Sequence, residues 1–223
     1  MLRACMRGAP RSGRGRIAPV GADSIGLGEG PWSEPPWRAP LDVVAEIEAI
    51  PADAIIHGMF ILAVVDGALA RGVRLPSARE RYLGFRKYPM REHAQVLVEA
   101  ARGMWPELPA REGLRKLGRG APRALVSSML GRVVLGSVEG PLEVLRAMAR
   151  SYPMHAQPGS LEITELAPGR AIVHMRQIHH FLDCHHVGVF EGVLRYAKVE
   201  GGRVRIRPIA RGDADLLCEW RGA

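Results

Sequence analysis

The residues of this chain best suited to chemistry lie close together. From His174 to His186 the sequence runs His-Met-Arg-Gln-Ile-His-His-Phe-Leu-Asp-Cys-His-His, with five of the chain's eight histidines and one of its three cysteines. Neutral imidazole and thiolate are ligands for zinc, copper or heme iron. If a helix opens at Phe181, His179 and Asp183 fall four apart on one face, as do Leu182 and His186. The candidate metal set is therefore His179, Asp183, Cys184 and His186. Adjacent histidines point in different directions, however, and neither Cys-x-x-Cys nor His-Glu-x-x-His occurs anywhere in the chain. A solvated, merely polar strand-to-helix connection is the competing reading. A heme ligand among the same histidines is a third.

Other residues could shape a binding site. Gly188 and Gly192 sit four apart in the same expected helix, where each glycine costs about 1 kcal/mol relative to alanine. Close approach to a sheet or to a ligand would offset that cost. The candidate ligand pocket is therefore Phe181, Gly188, Phe190 and Gly192, between the helices and the sheet. Cys184 and Cys218 would approach each other if the last strand ran beside this helix, and core packing is their ordinary role. Arg203, Arg205 and Arg207 alternate with aliphatic residues. They form the solvated side of a strand, or a row that pairs with acidic groups. Catalysis finds no motif: Ser127-Ser128 has no Gly-x-Ser-x-Gly setting, and Gly26-Leu27-Gly28-Glu29-Gly30 has no phosphate-loop lysine.

Composition sets the frame. The 223 residues are 47% hydrophobic and 24% charged, which is enough to bury one sizeable core. The net charge of +8 rests on 28 arginines and 3 lysines scattered among Gly, Ala and Pro. Without interleaved aromatic residues, a nucleic-acid partner is not expected. Apolar runs are too short for a membrane span. Three cysteines give no disulfide framework, and with no apolar core behind the basic N-terminal residues a cytoplasmic location is expected.

These residues must be positioned by their elements. Residues 1–40, rich in Arg, Gly and Pro, read as a flexible basic tail, and 41–223 as a single α+β sensor-like domain. Helical spacing runs from Asp53, as a cap, to about Arg71. Ser77 and Glu80 look like a capping box opening another helix, and Arg91 to Met104 is helical. Further helices are expected over 112–117, over 121–135 and from Pro141 to about Ser151. The pattern then changes to strands at Ser160 to Leu166 and Arg170 to Ile178, a helix from Phe181 to Ala197, and strands at Arg203 to Arg207 and Ala214 to Trp220. The fold class is thus α+β, an N-terminal multi-helix layer followed by a β-β-α-β-β antiparallel sheet.

That order resembles the fold of vinyl-reductase-like small-molecule-binding domains, heme nitric oxide/oxygen-binding domains and vesicle-tethering TRAPP subunits. Over residues 50–220 the chain also resembles a myxobacterial paralogous family of uncharacterised proteins. The residues carrying this are Gly58-Met59-Phe60, Tyr88-Pro89-Met90-Arg91-Glu92, Gly118-Arg119, Gly131-Arg132, Pro168-Gly169-Arg170, Gly188 with Gly192, and Asp213-Ala214-Asp215 to Trp220. The resemblance implies fold, not activity. No heme ligand carries over by position, and the cofactor stays unknown. The expected function is a non-enzymatic small-molecule-binding or sensory domain with a hydrophobic pocket. The alternatives are a dimeric interaction scaffold and a heme- or metal-based sensor. The expected partners are a small apolar ligand or a protein, with the chain as a homodimer.

Overall fold

Residues with apolar side chains at three- and four-residue spacing become helices through the first half of the chain. A computed structural model describes residues 30–127 and 138–222. Its elements are α1 (Val43–Glu48), β1 (Ile55–His57), α2 (Gly58–Leu69), β2 (Lys87–Pro89), α3 (Met90–Met104), α4 (Ala110–Ser127), α5 (Pro141–His155) and β3 (Ala156–Gln157). They continue with β4 (Ser160–Ala167), β5 (Arg170–Arg176), a π-helical turn (Leu182–His186), α6 (Val187–Tyr196), β6 (Glu200–Ala210) and β7 (Asp213–Arg221). The fold is α+β, and its C-terminal part is the expected β-β-α-β-β. The strands lie in the order β4-β5-β7-β6, every neighbour antiparallel.

Three short strands interrupt the helical half. β1 pairs with β2 on one side and with β3 on the other. The expected helix therefore starts at Gly58, not at Asp53. Gly58 is required there, because a Cβ would come within 2.6 Å of the Tyr88 ring. The capping box expected at Ser77 does not form. Its amide donates instead to the Glu99 carboxylate at 3.1 Å, and Arg79 and Tyr82 donate to Glu92 of α3. The two expected helices 112–117 and 121–135 are one helix as far as Ser127, with Pro122 inside it; the rest of that span lies outside the described residues.

The sheet has one apolar and one polar face. Ala171, Val173, Met175, Val204, Ile206, Leu216 and Cys218 pack against Val187, Phe190, Val193 and Leu194 of α6. On the opposite face the arginine row is paired, not merely solvated. Arg203 meets Glu34, Arg205 meets Glu219 at 2.9 Å, and Arg207 meets Asp215 at 2.8 Å. Fully buried Asp215 also takes His174 at 2.9 Å and Arg176 at 3.0 Å, so its carboxyl stays low: burial pushes it up, and these donors outweigh that. His174 thus belongs to this network, away from the other histidines.

Part of the expected tail is packed against this sheet. Ser33 forms a two-bond bridge with Ile206 on the free edge of β6, Trp32 covers Arg207, and Trp37 stacks on Arg115 of α4. Residues 1–29 lie outside the described residues.

Candidate functional site

The site is set by a crossing of α4 and α6 at backbone distance. A Cβ at Gly192 would stand 2.6 Å from the Arg119 carbonyl oxygen. Cβ atoms at Gly188 and Gly118 would press still closer on the carbonyl oxygens of Arg115 and His185. Only glycine allows two helices to touch this way. The crossing is clamped from the side by Glu191, which accepts from Arg115 at 2.8 Å and Arg119 at 2.6 Å. Burial raises the Glu191 carboxyl, but these two hydrogen bonds prevail and hold it low. The predicted close approach of Gly188 and Gly192 is therefore real, but its target is α4, not a ligand.

The segment before α6 turns the histidines inward. Phe181 is left-handed, with φ 51°, and the amide of His186 reaches back five residues to the Phe181 carbonyl at 3.2 Å. This wide π-helical turn places His185 and His186 on the same side of the chain. π-turns of this kind are frequent at functional sites. His180, just before the turn, lies beside His186 with ring centroids 4.7 Å apart. His93 of α3 completes the group, 5.6 Å from His180 and 6.3 Å from His185.

All four imidazoles are buried, and the Nδ1 atom of each has no hydrogen-bond partner. Burial, reinforced by neighbouring imidazoles, lowers His93 to about 3 and drops His180 and His185 well below the ordinary value. Burial also lowers His186, to about 4, although the carbonyls of Phe181 and His180 pull it partly back. The cluster is uncharged at neutral pH, as imidazole must be to bind a metal.

The cluster opens onto a cavity of about 380 Å³ between the helical layer and the C-terminal half. Met59, Phe60 and Val64 of α2, Leu117 of α4, Met148 and Tyr152 of α5, and Phe190 of α6 supply apolar wall. No carboxylate lines it among the described residues, and Arg71 and Lys116 flank the Trp105 ring at its open end, each 5.4 Å from the ring centroid. His155 of α5 also reaches the cavity, paired Nδ1 to Nδ1 with His57 at 3.3 Å.

Of the expected pocket residues, Phe190 lines this cavity. Phe181 packs in the helical core, and Gly188 and Gly192 face α4. Of the expected metal set, only His186 joins the cluster. His179 is half-buried with its ring over Gly212, Asp183 pairs with Arg111, and the buried Cys184 thiol donates to the Phe181 carbonyl. The i, i+4 pairing failed because residues 182–186 form a π turn, which changes which side chains share a face. Cys184 and Cys218 are both free, buried core thiols. His93 was missed. Its signal was weak, a single histidine among the apolar positions Met90, Ala94, Leu97, Val98 and Ala101 of one helix face.

The fold of the chain is that of the H-NOX domains. It is similar to an H-NOX protein from S. oneidensis in the Fe(II)NO state, at TM-score 0.58 and 12% identity, covering 75% of this chain and 100% of that one. It is also similar to an Fe(II) unliganded H-NOX protein from K. algicida, at 0.56 and 10%, covering 75% and 98%. An oxygen-binding H-NOX domain related to soluble guanylate cyclases matches at 0.57 and 14%, covering 74% and 93%. By sequence, residues 49–221 match the family described as Protein of unknown function (DUF2378), and the chain belongs to that family. No curated protein matches it by sequence.

Proposed function

We propose that the chain is a non-enzymatic sensory domain that binds a small, largely apolar molecule in the cavity between its helices and its sheet. The observation that carries this is the cavity itself. Its volume, about 380 Å³, falls within the range of about 300–1,000 Å³ usual for ligand sites. Its walls are mostly apolar apart from the histidines, and Arg71 and Lys116 at the open end favour a ligand with an anionic group at one end. We place the domain in the cytoplasm; the free thiols of Cys184 and Cys218 fit a reducing compartment.

The imidazoles favour a second reading, a heme in the same cavity. The donor set fits one: His155, His185 or His186 would offer a nitrogen to the iron, and Arg71 and Lys116 would offer cations to its carboxylates. When bound, a heme would supply reversible ligation of a diatomic gas. The chain itself supplies the neutral imidazole, the dry wall and the cationic mouth. A dimeric scaffold is less well supported, because among the described residues the exposed large apolar ones, Val44, Leu69, Phe85, Met154, Leu166 and Ile209, are spread over five elements and a loop.

Titration of the full chain with anilinonaphthalene sulfonate, an apolar body with an anionic group, tests the reading. Saturable binding of one molecule per chain is expected. Gly67 of α2 lines the cavity with open space where its Cβ would be, so Gly67→Phe fills part of it. That variant is expected to bind about tenfold more weakly or worse, a loss of about 1.4 kcal/mol. Binding that is unsaturable, or unchanged in Gly67→Phe, would exclude the cavity as the site. Hemin in place of the probe separates the second reading: a Soret band that moves in His155→Ala, His185→Ala or His186→Ala supports it.

A further inference from the structure

We propose that His180, His185 and His186 bind one transition-metal ion at the inner end of the cavity. One ligand nitrogen from each lies within 4.8 Å of the others, near enough for a single ion to draw the three together by small rotations of the side chains. The three residues are 3%, 7% and 6% exposed, and each has an Nδ1 without a hydrogen-bond partner. A buried polar nitrogen left unpaired forfeits its hydration and gains nothing in return. Three such imidazoles in one place, brought together by a left-handed residue and a π turn, are accounted for if an ion lies between them.

The donors select the class of metal. Three imidazoles suit zinc, copper, iron or nickel, whereas calcium and magnesium require oxygen ligands. A three-histidine set also leaves a fourth position open, as in zinc sites that carry an exchangeable ligand. Here that position faces either His93 or the cavity. No carboxylate belongs to the group, and Asp183, the nearest in sequence, is held by Arg111. The charge of a divalent ion is therefore not balanced by its protein ligands, and an anion is the favoured occupant of the fourth position. Only this last step rests on the ligand-binding reading; the ion site does not.

The test uses the full chain stripped of metal with a chelator and titrated with Co(II) alone, followed by visible absorption and by displacement with Zn(II). One Co(II) per chain is expected, with bands of a four- or five-coordinate nitrogen site. His180→Ala and His186→Ala are expected to weaken it by at least about 100-fold, beyond the loss usual for outer partners of a metal site. His179→Ala should leave it unchanged. Should either alanine variant not fold, nitrogen-15 imidazole spectra of the unaltered chain with Zn(II) decide. Shifts at His180, His185 and His186, absent at His57, His155 and His174, support the site. Absence of stoichiometric binding, binding that survives His186→Ala, or shifts confined to His57 and His155 would overturn it. Loss of the metal site with anilinonaphthalene sulfonate binding intact would overturn this inference alone and leave the cavity reading standing.

Discussion

Gly188→Ala is expected to abolish cooperative folding or to cost at least about 3 kcal/mol, the upper end of what overpacking a core usually costs. The physical reason is that the new methyl group meets backbone. At Gly188 and Gly118 a Cβ would lie under 3.0 Å from the carbonyl oxygens of Arg115 and His185, a separation that real Cβ atoms essentially never show. A flexible side chain could move aside, but these carbonyls are fixed by the hydrogen bonds of their own helices. The only relief is separation of α4 from α6, which breaks the Glu191 clamp and moves His185 and His186 away from the cavity. Gly118→Ala should behave the same way. Gly67→Ala is the contrast, since nothing lies within 4 Å of its Cβ position. It is expected to stabilise by about 0.5–1 kcal/mol through helix propensity alone. Urea unfolding of the three variants checks this, and equal midpoints for Gly188→Ala and the unaltered chain would refute the crossing.

Mild acid is expected to destabilise the metal-free chain strongly. His93 falls from 6.5 to about 3 on folding and His186 from 6.5 to about 4. Between those values the unfolded chain binds protons that the folded chain refuses. Stability is therefore complete above about 6.5 and is lost as pH falls toward the folded-state values. At about pH 5 each of the two histidines costs about 2 kcal/mol, at 1.36 kcal/mol per pH unit over about 1.5 units. His180 and His185 act in the same direction. Against a typical stability of about 5–15 kcal/mol, the pair alone removes a large share. His93→Leu removes one proton acceptor and one unpartnered nitrogen. It should be neutral or stabilising at about pH 7.5 and should flatten the loss at about pH 5 by about 2 kcal/mol. Urea midpoints of both proteins at the two pH values, in chelator, measure it. An acid sensitivity unchanged in His93→Leu would show that the cluster does not carry it.

Much of this architecture is legible in the sequence because it is periodic. α3 repeats apolar residues every three or four positions, and β6 alternates Arg203-Val204-Arg205-Ile206-Arg207. β1, β2 and β3, of three, three and two residues, are too short to carry a period, and long-range pairing alone defines them. The site was legible only in part. The histidine run is conspicuous in composition, yet which imidazoles converge depends on the positive φ of Phe181 and on one wide turn, neither of which has a sequence signature. Gly188 and Gly192 announced a close approach without naming the partner, because Gly118 lies seventy residues away in another helix. His93 gave only a weak signal, because nothing local separates a histidine in a core from one facing a cavity. The segment Trp32 to Trp37 read as tail because its bonds go to β6 and α4, far along the chain.

The central claim is that the cavity bounded by α2, α4, α5 and α6 holds a ligand. Native mass spectrometry of the freshly purified full chain tests it most directly. The account predicts one non-covalent small species per chain, reduced or absent in Gly67→Phe while that variant still unfolds cooperatively. A chain that shows only its bare mass in both forms, and that binds neither anilinonaphthalene sulfonate nor hemin, would contradict it.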